Sequence, residues 1–279
     1  MAWFERLTGF REISPGHVRQ NIAVRGPALV SRPNGRSMVF GRLETPSLGD
    51  LRERLRTIPP AGGRLTVREV VADVRALHSD VRNAGALFQA ASQFNLLEMA
   101  SPDVTPEQGV GIYEGDHTQG PACAVAAGAG TIYRNYFAPV SGQIGQSAGN
   151  QIDCLADLGG ALGNAGNRLW QMRNGYALAS RAGLEELSER LASSSEAELD
   201  GLRSLLRIGL QWDTQVTLEG CSHTVSQAYC SALPIAYCGH PAACWAPFAR
   251  LVLEAAYEAT LCTAILNARR AQSGGLVRI

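Results

Sequence analysis

Strict alternation of apolar and polar side chains is clearest around residue 212 and predicts a β-strand there. The inward-facing positions of this strand are Ile208, Leu210, Trp212, Thr214 and Val216. The short apolar run Ala86–Ser92 has the length of a buried strand, and Val225–Tyr229 is also predicted to be extended. These three segments indicate a sheet at the centre of the fold.

Two less regular stretches are also predicted to be extended. Asn174-Gly175 separates Leu169–Met172 from Tyr176–Ala179, and this dipeptide favours a tight hairpin turn. The valine-rich stretch Leu65–Leu77 fits both periodicities, since its valines recur at helical spacing but also alternate with alanine. Its valine density favours a strand.

Five helices are predicted, the first because it is rich in alanine and glycine and the last because its apolar residues fall on one side. The predicted helices are Ala122–Phe137, Asn150–Leu162, Leu184–Ala192, Ala197–Leu206 and Phe248–Arg270. Ser195 and Glu198 form a capping-box pair before the fourth of them, and Pro247 suits the first turn of the fifth.

The first 64 residues differ from the rest because they are rich in arginine, glycine and proline. They predict a β-rich N-terminal arm with one short helix, Ser47–Ile58, and residues 65–279 predict one continuous α/β domain. Strands interspersed with helices are typical of a mixed sheet covered by helices. The expected fold class is therefore a three-layer α/β domain with a mixed sheet and a β-rich arm.

The composition excludes several kinds of chemistry but does not by itself indicate a function. The 279 residues are 46% hydrophobic and carry no net charge, which gives no electrostatic reason to expect nucleic acid or an anionic membrane as partner. All 25 basic residues are arginine. The absence of lysine excludes a Schiff-base lysine, a P-loop lysine and a lysine general base.

The sequence also suggests where the protein resides. The N-terminus lacks the basic and apolar regions of a signal peptide, and the apolar run Pro121–Ile132 is too short to span a bilayer. Seven scattered cysteines are typical of reduced, buried thiols. We therefore expect a cytoplasmic protein with no membrane partner.

Polar residues end the strand Ala86–Ser92, where ligand-binding residues of α/β sheets are commonly found. They are Ser92, Gln93, Asn95 and Glu98. Loop capping is the alternative explanation for such residues, but their position makes all four candidates for contact with a ligand.

A second polar group leads into the small-residue helix Ala122–Phe137. Asp116, Thr118, Gln119 and Gly120 precede Pro121, whose missing N–H costs nothing in the first turn of a helix. The N–H groups and positive dipole end of such a helix suit a phosphate. Tight packing of a small-residue helix on the sheet is the alternative explanation.

Two further residues are weaker candidates for ligand contact. Arg134, on the same helix, has the charge to hold a phosphate or to pair with Glu98 or Asp116, although a helical arginine is more often a surface residue. Gln227 lies near the end of a predicted strand and is a candidate for the opposite wall.

Several segments resemble a family of largely uncharacterised bacterial and eukaryotic proteins with a macrodomain-like fold, related in architecture to the poly(ADP-ribose) glycohydrolases. The similarity spans about residues 40–268 and lies in Gln93-Phe94-Asn95, Asp116, Thr118-Gln119-Gly120-Pro121-Ala122-Cys123-Ala124, Tyr133-Arg134-Asn135-Tyr136-Phe137, Gln151-Ile152-Asp153, Met172-Arg173-Asn174-Gly175-Tyr176, Gln211-Trp212-Asp213-Thr214 and Gln227-Ala228-Tyr229-Cys230. Its members continue into a second glycine-rich loop, whereas this chain ends at Ile279.

The resemblance implies binding, with hydrolysis as a further step, of an ADP-ribose-type nucleotide or an ADP-ribosyl conjugate. In that scheme the helix N-terminus at Gly120 takes a phosphate, and Gln93 and Asn95 contact ribose or base. Glu98 or Asp116 supplies the acid or base that glycosidic cleavage needs. No cofactor is expected.

Three other interpretations stay open at the level of sequence. The same fold serves as a non-catalytic nucleotide-binding module. Gly145-Gln146-Ser147-Ala148-Gly149 has the spacing of a nucleophile elbow, with Asp213 and His223 downstream, which is a serine-hydrolase arrangement without the required strand before it. The cysteines and histidines between residues 221 and 244 lack the close cysteine pairs of a zinc site, so no metal is expected.

Overall fold

A computed structural model describes residues 2–59, 66–271 and 277–278 of the chain. The helices are α1 Trp3–Thr8, α2 Pro15–Asn21, α3 Leu48–Arg56, α4 Val74–Ser79, α5 Gln119–Ala126, α6 Gly128–Tyr136, α7 Ala156–Leu162, α8 Arg181–Ser193, α9 Glu196–Ser204 and α10 Ala242–Ala271. The strands are β1 Ile22–Arg25, β2 Ala28–Ser31, β3 Ser37–Val39, β4 Arg42–Glu44, β5 Leu87–Ser92, β6 Pro139–Val140, β7 Gln143–Ile144, β8 Trp170–Arg173, β9 Tyr176–Ala179, β10 Gly209–Gln215, β11 Thr224–Ser231 and β12 Val277–Arg278.

The central sheet has five strands in the order β12-β5-β11-β10-β4. β5 pairs in parallel with β11 and β12, whereas β10 is antiparallel to both β11 and β4. The sequence prediction of an α/β fold with a mixed sheet is confirmed. Because β5 and β11 are parallel, the loops that follow them emerge at the same edge of the sheet.

Helices cover both faces of this sheet. On one face the Gln89 amide of β5 donates a 2.8 Å hydrogen bond to Thr260 of α10. On the other face the ring of Phe88 stacks on His78 of α4, with centroids 3.8 Å apart. Neighbouring residues of β5 therefore contact different layers, as the pleat of a strand requires.

The N-terminal residues contain more helix than their sequence predicted. The expected short helix at Ser47–Ile58 is present as α3, but α1 and α2 were missed because six- and seven-residue helices leave little periodicity to detect. The β4 strand joins the central sheet through β10, and α3 packs against α10.

The valine-rich stretch is where the strand prediction was wrong. Residues 66–73 form no regular structure, and α4 begins at Val74, while Leu65 lies outside the described residues. Val67 and Val71 are 82% and 99% exposed. Branched residues form a strand only when a neighbouring strand pairs with them, and none does so here within the described residues.

Other predicted elements are present with shifted bounds. The hairpin at Asn174-Gly175 forms as β8 and β9, and the capping box of Ser195 and Glu198 starts α9. The helix expected over 122–137 is divided at Ala127 into α5 and α6. The helix expected from residue 150 begins six residues later as α7, and the last helix, α10, begins before Pro247.

The last helix also resembles a membrane span by length and composition. Its Ala242–Arg270 part has a mean hydropathy of 1.2 in its most apolar window, and 56% of that window is buried within the protein. A core helix has the same properties, so this is weak evidence for a membrane segment.

Candidate functional site

A cavity of about 290 Å³ opens at the edge of the sheet where β5 ends. Its lining residues are Ala91, Ser92, Gln93, Glu98, Met99, Ala100, Asp116, Thr118, Gln119, Gly120, Pro121, Tyr176 and Tyr237. Seven of the ten predicted site residues are among them, drawn from the end of β5 and from the approach to α5.

The first wall is the loop that follows β5. The backbone N–H of Met99 donates a 2.7 Å hydrogen bond to Oε1 of Gln93, which closes the loop on itself. Leu96 adopts a left-handed conformation with φ 65°. Its carbonyl oxygen accepts a 2.9 Å hydrogen bond from Nε of Arg134, which lies beneath the loop. The interior of the protein therefore fixes the course of the chain up to Glu98.

The second wall is the turn that starts α5. Oδ1 of Asp116 accepts hydrogen bonds from the backbone N–H and the hydroxyl of Thr118, at 2.8 and 2.6 Å. These two bonds hold the pKa of Asp116 below its usual value, so the carboxylate is ionised at neutral pH.

The side chain of Gln119 ties this second wall to the sheet. Its amide Nε2 donates to the carbonyl of Gln89 at 2.7 Å, and its Oε1 accepts from the N–H of Ala91 at 2.7 Å. These are the two bonds that one residue of a parallel strand would make. A side-chain amide therefore replaces a backbone peptide unit at this part of the β5 edge.

Glu98 lies between the two walls and is only 5% exposed. Burial raises the pKa of its carboxyl group to about 8, with Arg134 acting in the opposite direction and Asp116 raising it further. Its Oε1 is buried and has no hydrogen-bond partner in the described structure. Glu98 is therefore a neutral acid at pH 7, with one carboxyl oxygen whose hydrogen-bonding capacity is unused in the described structure.

Tyr176 and Tyr237 form a third wall that the sequence interpretation missed. Their rings are 4.9 Å apart at a 57° angle, and the Tyr176 hydroxyl donates a 2.5 Å bond to the carbonyl of Met99. Tyr237 follows β11 and is 53% exposed. Residue 237 lies at this edge because it follows β11, which pairs in parallel with β5, and no sequence pattern specifies that pairing.

Three residues proposed to bind the ligand lie outside the cavity. Asn95, Arg134 and Gln227 are fully enclosed by protein. Asn95 bonds to Gln151 and Leu97, while Gln227 bonds to His78 and to the carbonyl of Cys123. They support the loop and the sheet from inside the protein, so none of the three lines the cavity.

The serine-hydrolase arrangement does not form. Ser147 lies in a turn paired with Asn150, after the two-residue strand β7 and well before α7 begins at Ala156. Asp213 pairs with Arg270, and His223 bonds to the carbonyl of His78. Ser147 therefore has neither the strand-to-helix elbow nor the partners that activate a nucleophile.

The cysteine and histidine cluster forms no metal site in the described part of the chain. No group of three or more His, Cys, Asp or Glu side chains there is close enough to hold a metal ion. The seven cysteines are all free thiols, three of them buried.

No family model, no curated protein and no solved structure matches this chain.

Proposed function

We propose that the cavity binds an ADP-ribose-type nucleotide or an ADP-ribosyl conjugate and hydrolyses its glycosidic bond. The observation that carries this proposal is the pair Glu98 and Asp116. The two carboxyl groups share one cavity, yet the pKa of Glu98 is raised by burial while that of Asp116 is lowered by Thr118. Carboxyl groups with separated pKa values provide the acid and the base of a glycosidase.

Each carboxyl group takes the role that its protonation allows. Glu98 keeps its proton at neutral pH and donates it to the leaving group. Asp116 is ionised and more accessible, so it stabilises the positive charge that develops on the sugar or accepts a proton from the attacking water. Thr118 orients Asp116 through its two hydrogen bonds.

The start of α5 supports an anionic ligand. An α-helix leaves its first N–H groups without partners inside the helix, and here these belong to Gln119 and Gly120 because Pro121 has none. The Glu98 carboxyl group lies beside the same turn through its Oε2, and its Oε1 has no hydrogen-bond partner in the described structure. Helix N–H groups and a protonated carboxyl group are all donors, which suits the oxygens of a phosphate.

The size of the cavity restricts how much of the ligand it encloses. A volume of about 290 Å³ is at the lower end of ligand pockets and suits a pentose with one phosphate. The base of the nucleotide then lies at the opening, where the exposed ring of Tyr237 offers a stacking surface.

Titration of the protein with ADP-ribose, NAD and AMP tests this proposal. Binding is measured by thermal shift and by calorimetry. We expect ADP-ribose to stabilise the wild type, and Glu98→Gln to retain binding while losing hydrolysis of an ADP-ribosyl conjugate. Glu189→Gln, an exposed residue of α8, is the matched control and should behave as wild type. No stabilisation by any of the three nucleotides at millimolar concentration would refute the proposal.

A non-catalytic binding module is the second candidate, favoured by one observation. Both hydrogen bonds to Asp116 come from Thr118, two residues later, and such a turn also occurs purely to start a helix. In that case ADP-ribose binds, but neither wild type nor Asp116→Asn releases a product from any conjugate.

A further inference from the structure

Arg134 of α6 is a permanently charged side chain in the interior of the protein. It has no exposed surface, and its guanidinium donates to the Leu96 carbonyl at 2.9 Å, to the Tyr229 hydroxyl, and to Thr131 Oγ1 at 3.2 Å. Its Cζ also lies 3.8 Å from the centre of the Tyr229 ring. All of these partners are neutral.

Arg134 takes part in none of the ion pairs formed by the described residues. An arginine cannot release its proton in a protein, so this charge stays in the interior. A buried charge without a counter-ion is costly, and fold stability alone would favour an apolar side chain here. The position of Arg134 therefore calls for a functional explanation.

Glu98 supplies that explanation. Arg134 holds the carbonyl of Leu96, which lies two residues before Glu98 in the loop that forms the first wall. The guanidinium also acts on the Glu98 carboxyl electrostatically. One side chain thus holds the backbone two residues before the acid and also acts on the acid through its positive charge.

We propose that Arg134 is the positioning residue of the site, which holds the Glu98 loop and stabilises the carboxylate that Glu98 becomes when it gives up its proton. This inference rests on the proposed function. In the reaction the glycosidic C–O or C–N bond breaks, its electron pair goes to the leaving atom, and that atom takes the Glu98 proton. Water attacks the anomeric carbon, its proton passes to Asp116, and exchange with solvent restores both carboxyl groups.

When Glu98 gives its proton to the leaving group, it becomes a carboxylate. Without a nearby cation, this carboxylate would be an unpaired anion in the interior of the protein. The titratable or charged groups whose electrostatics are linked to Glu98 are Tyr113, Asp116, Cys123, Arg134, Tyr176 and Tyr229. Arg134 is the only one of the six that carries positive charge. It is therefore the group that lowers the cost of ionising Glu98 and keeps the acid able to release its proton.

Infrared titration of the protonated carboxyl band tests the proposal without any ligand, once Glu98→Gln has identified the band. In Arg134→Gln and Arg134→Met we expect the Glu98 midpoint to rise by about one pH unit or more. Arg134→Lys keeps the charge but moves it away from the Leu96 carbonyl, so its midpoint should rise less. Arg11→Gln, at an exposed position, is the control.

Kinetics then separate positioning from simple structural support. We expect Arg134→Gln to lower kcat about tenfold or more with little change in KM, and Arg134→Lys to recover part of the loss. An unchanged Glu98 midpoint in Arg134→Gln or Arg134→Met, whichever of the two folds, overturns the proposal. If the wild type binds no nucleotide, the proposed function fails, while the infrared titration still decides whether Arg134 controls Glu98.

Discussion

The carboxyl group of Glu98 fills the space beside Gly120 that a side chain at that position would need. A Cβ on residue 120 would overlap Oε2 of Glu98 and lie 2.5 Å from the carbonyl oxygen of Ala91. The second of these is backbone of the central sheet and has little freedom to move. Glycine at this position therefore brings the start of α5 close to the acid.

Gly120→Ala should consequently displace Glu98 and separate the two walls of the cavity. We expect a loss of about 1–3 kcal/mol in unfolding free energy, as for other overpacked interiors, and loss of nucleotide binding. Denaturant unfolding and calorimetric titration measure the two effects. Gly115→Ala is the control because nothing lies within 4 Å of its added Cβ. A Gly120→Ala protein as stable as Gly115→Ala would contradict the packing argument.

The raised pKa of Glu98 predicts that the protein loses stability on the alkaline side. Burial raises the pKa of Glu98 from 4.5 to about 8, so between these values only the unfolded chain releases the proton. The contribution of protonated Glu98 to the free energy of unfolding is fully present below pH 4.5 and is lost as pH rises through 8. The expected decline is on the order of 5 kcal/mol. Glu98→Gln should remove this decline. Urea unfolding between pH 5 and pH 9 measures it, and identical pH profiles for both proteins would refute it.

Gln119 should control the local stability of the β5 edge rather than contact the ligand directly. Gln119→Leu removes both bonds to the strand, but water reaches these exposed groups, so the expected loss is about 0.5–1.5 kcal/mol. The amide hydrogen of Ala91 should exchange faster, while nucleotide affinity falls because α5 is less firmly held. Gln20→Leu, exposed on α2, is the control. Unchanged exchange at Ala91 would show that Gln119 does not hold the edge.

Sequence was sufficient to locate the cavity because local chemistry specifies it. The sequence shows where the buried strand ends, at Ser92, and where the small-residue helix starts, at Pro121 after Gly120. Ligand sites of α/β folds lie at such strand ends and helix starts. Both walls and seven predicted residues accordingly line the cavity. The pattern could not separate polar side chains that face the cavity from those that face the core.

Asn95, Arg134 and Gln227 show why that distinction needs the tertiary structure. Each is polar and lies near the site, but each points into a hydrogen-bonded interior that long-range packing creates. Tyr237 is the opposite case, since it reaches Tyr176 only because β11 pairs with β5. The strand prediction for the exposed valines near residue 70 was also wrong because of long-range structure. A strand forms only with a pairing partner, and the sequence does not specify that partner.

Tyr237 should contribute to nucleotide affinity through its exposed ring. If a base stacks there, Tyr237→Ala weakens ADP-ribose binding by about 1 kcal/mol while Tyr237→Phe has little effect. Tyr257→Ala is a matched control, because Tyr257 is 49% exposed on α10 and does not line the cavity. Calorimetry of ADP-ribose against ribose 5-phosphate locates the effect. Equal losses for both ligands would place the base away from Tyr237.

His78 predicts a second pH limit, on the acid side. Its Nδ1 lies 2.7 Å from the Val74 carbonyl and therefore carries the proton, which leaves Nε2 to accept from Gln227 at 3.0 Å. Burial lowers the pKa of His78 from 6.5 to about 4, so as pH falls between these values the unfolded chain takes up a proton that the folded protein excludes. The contribution of neutral His78 to the free energy of unfolding is fully present above pH 6.5. It should fall by about 3 kcal/mol as the pH is lowered to 4.

Replacing His78 separates this acid limit from the alkaline limit that Glu98 imposes. In His78→Gln the side chain no longer titrates, so we expect a lower stability at pH 7, from lost stacking on Phe88, but a much flatter profile between pH 6.5 and pH 4. The alkaline decline should persist, because Glu98 is unchanged. His117→Gln, at an exposed position, should keep both slopes. An acid slope that is equally steep in His78→Gln and wild type would assign it to other groups.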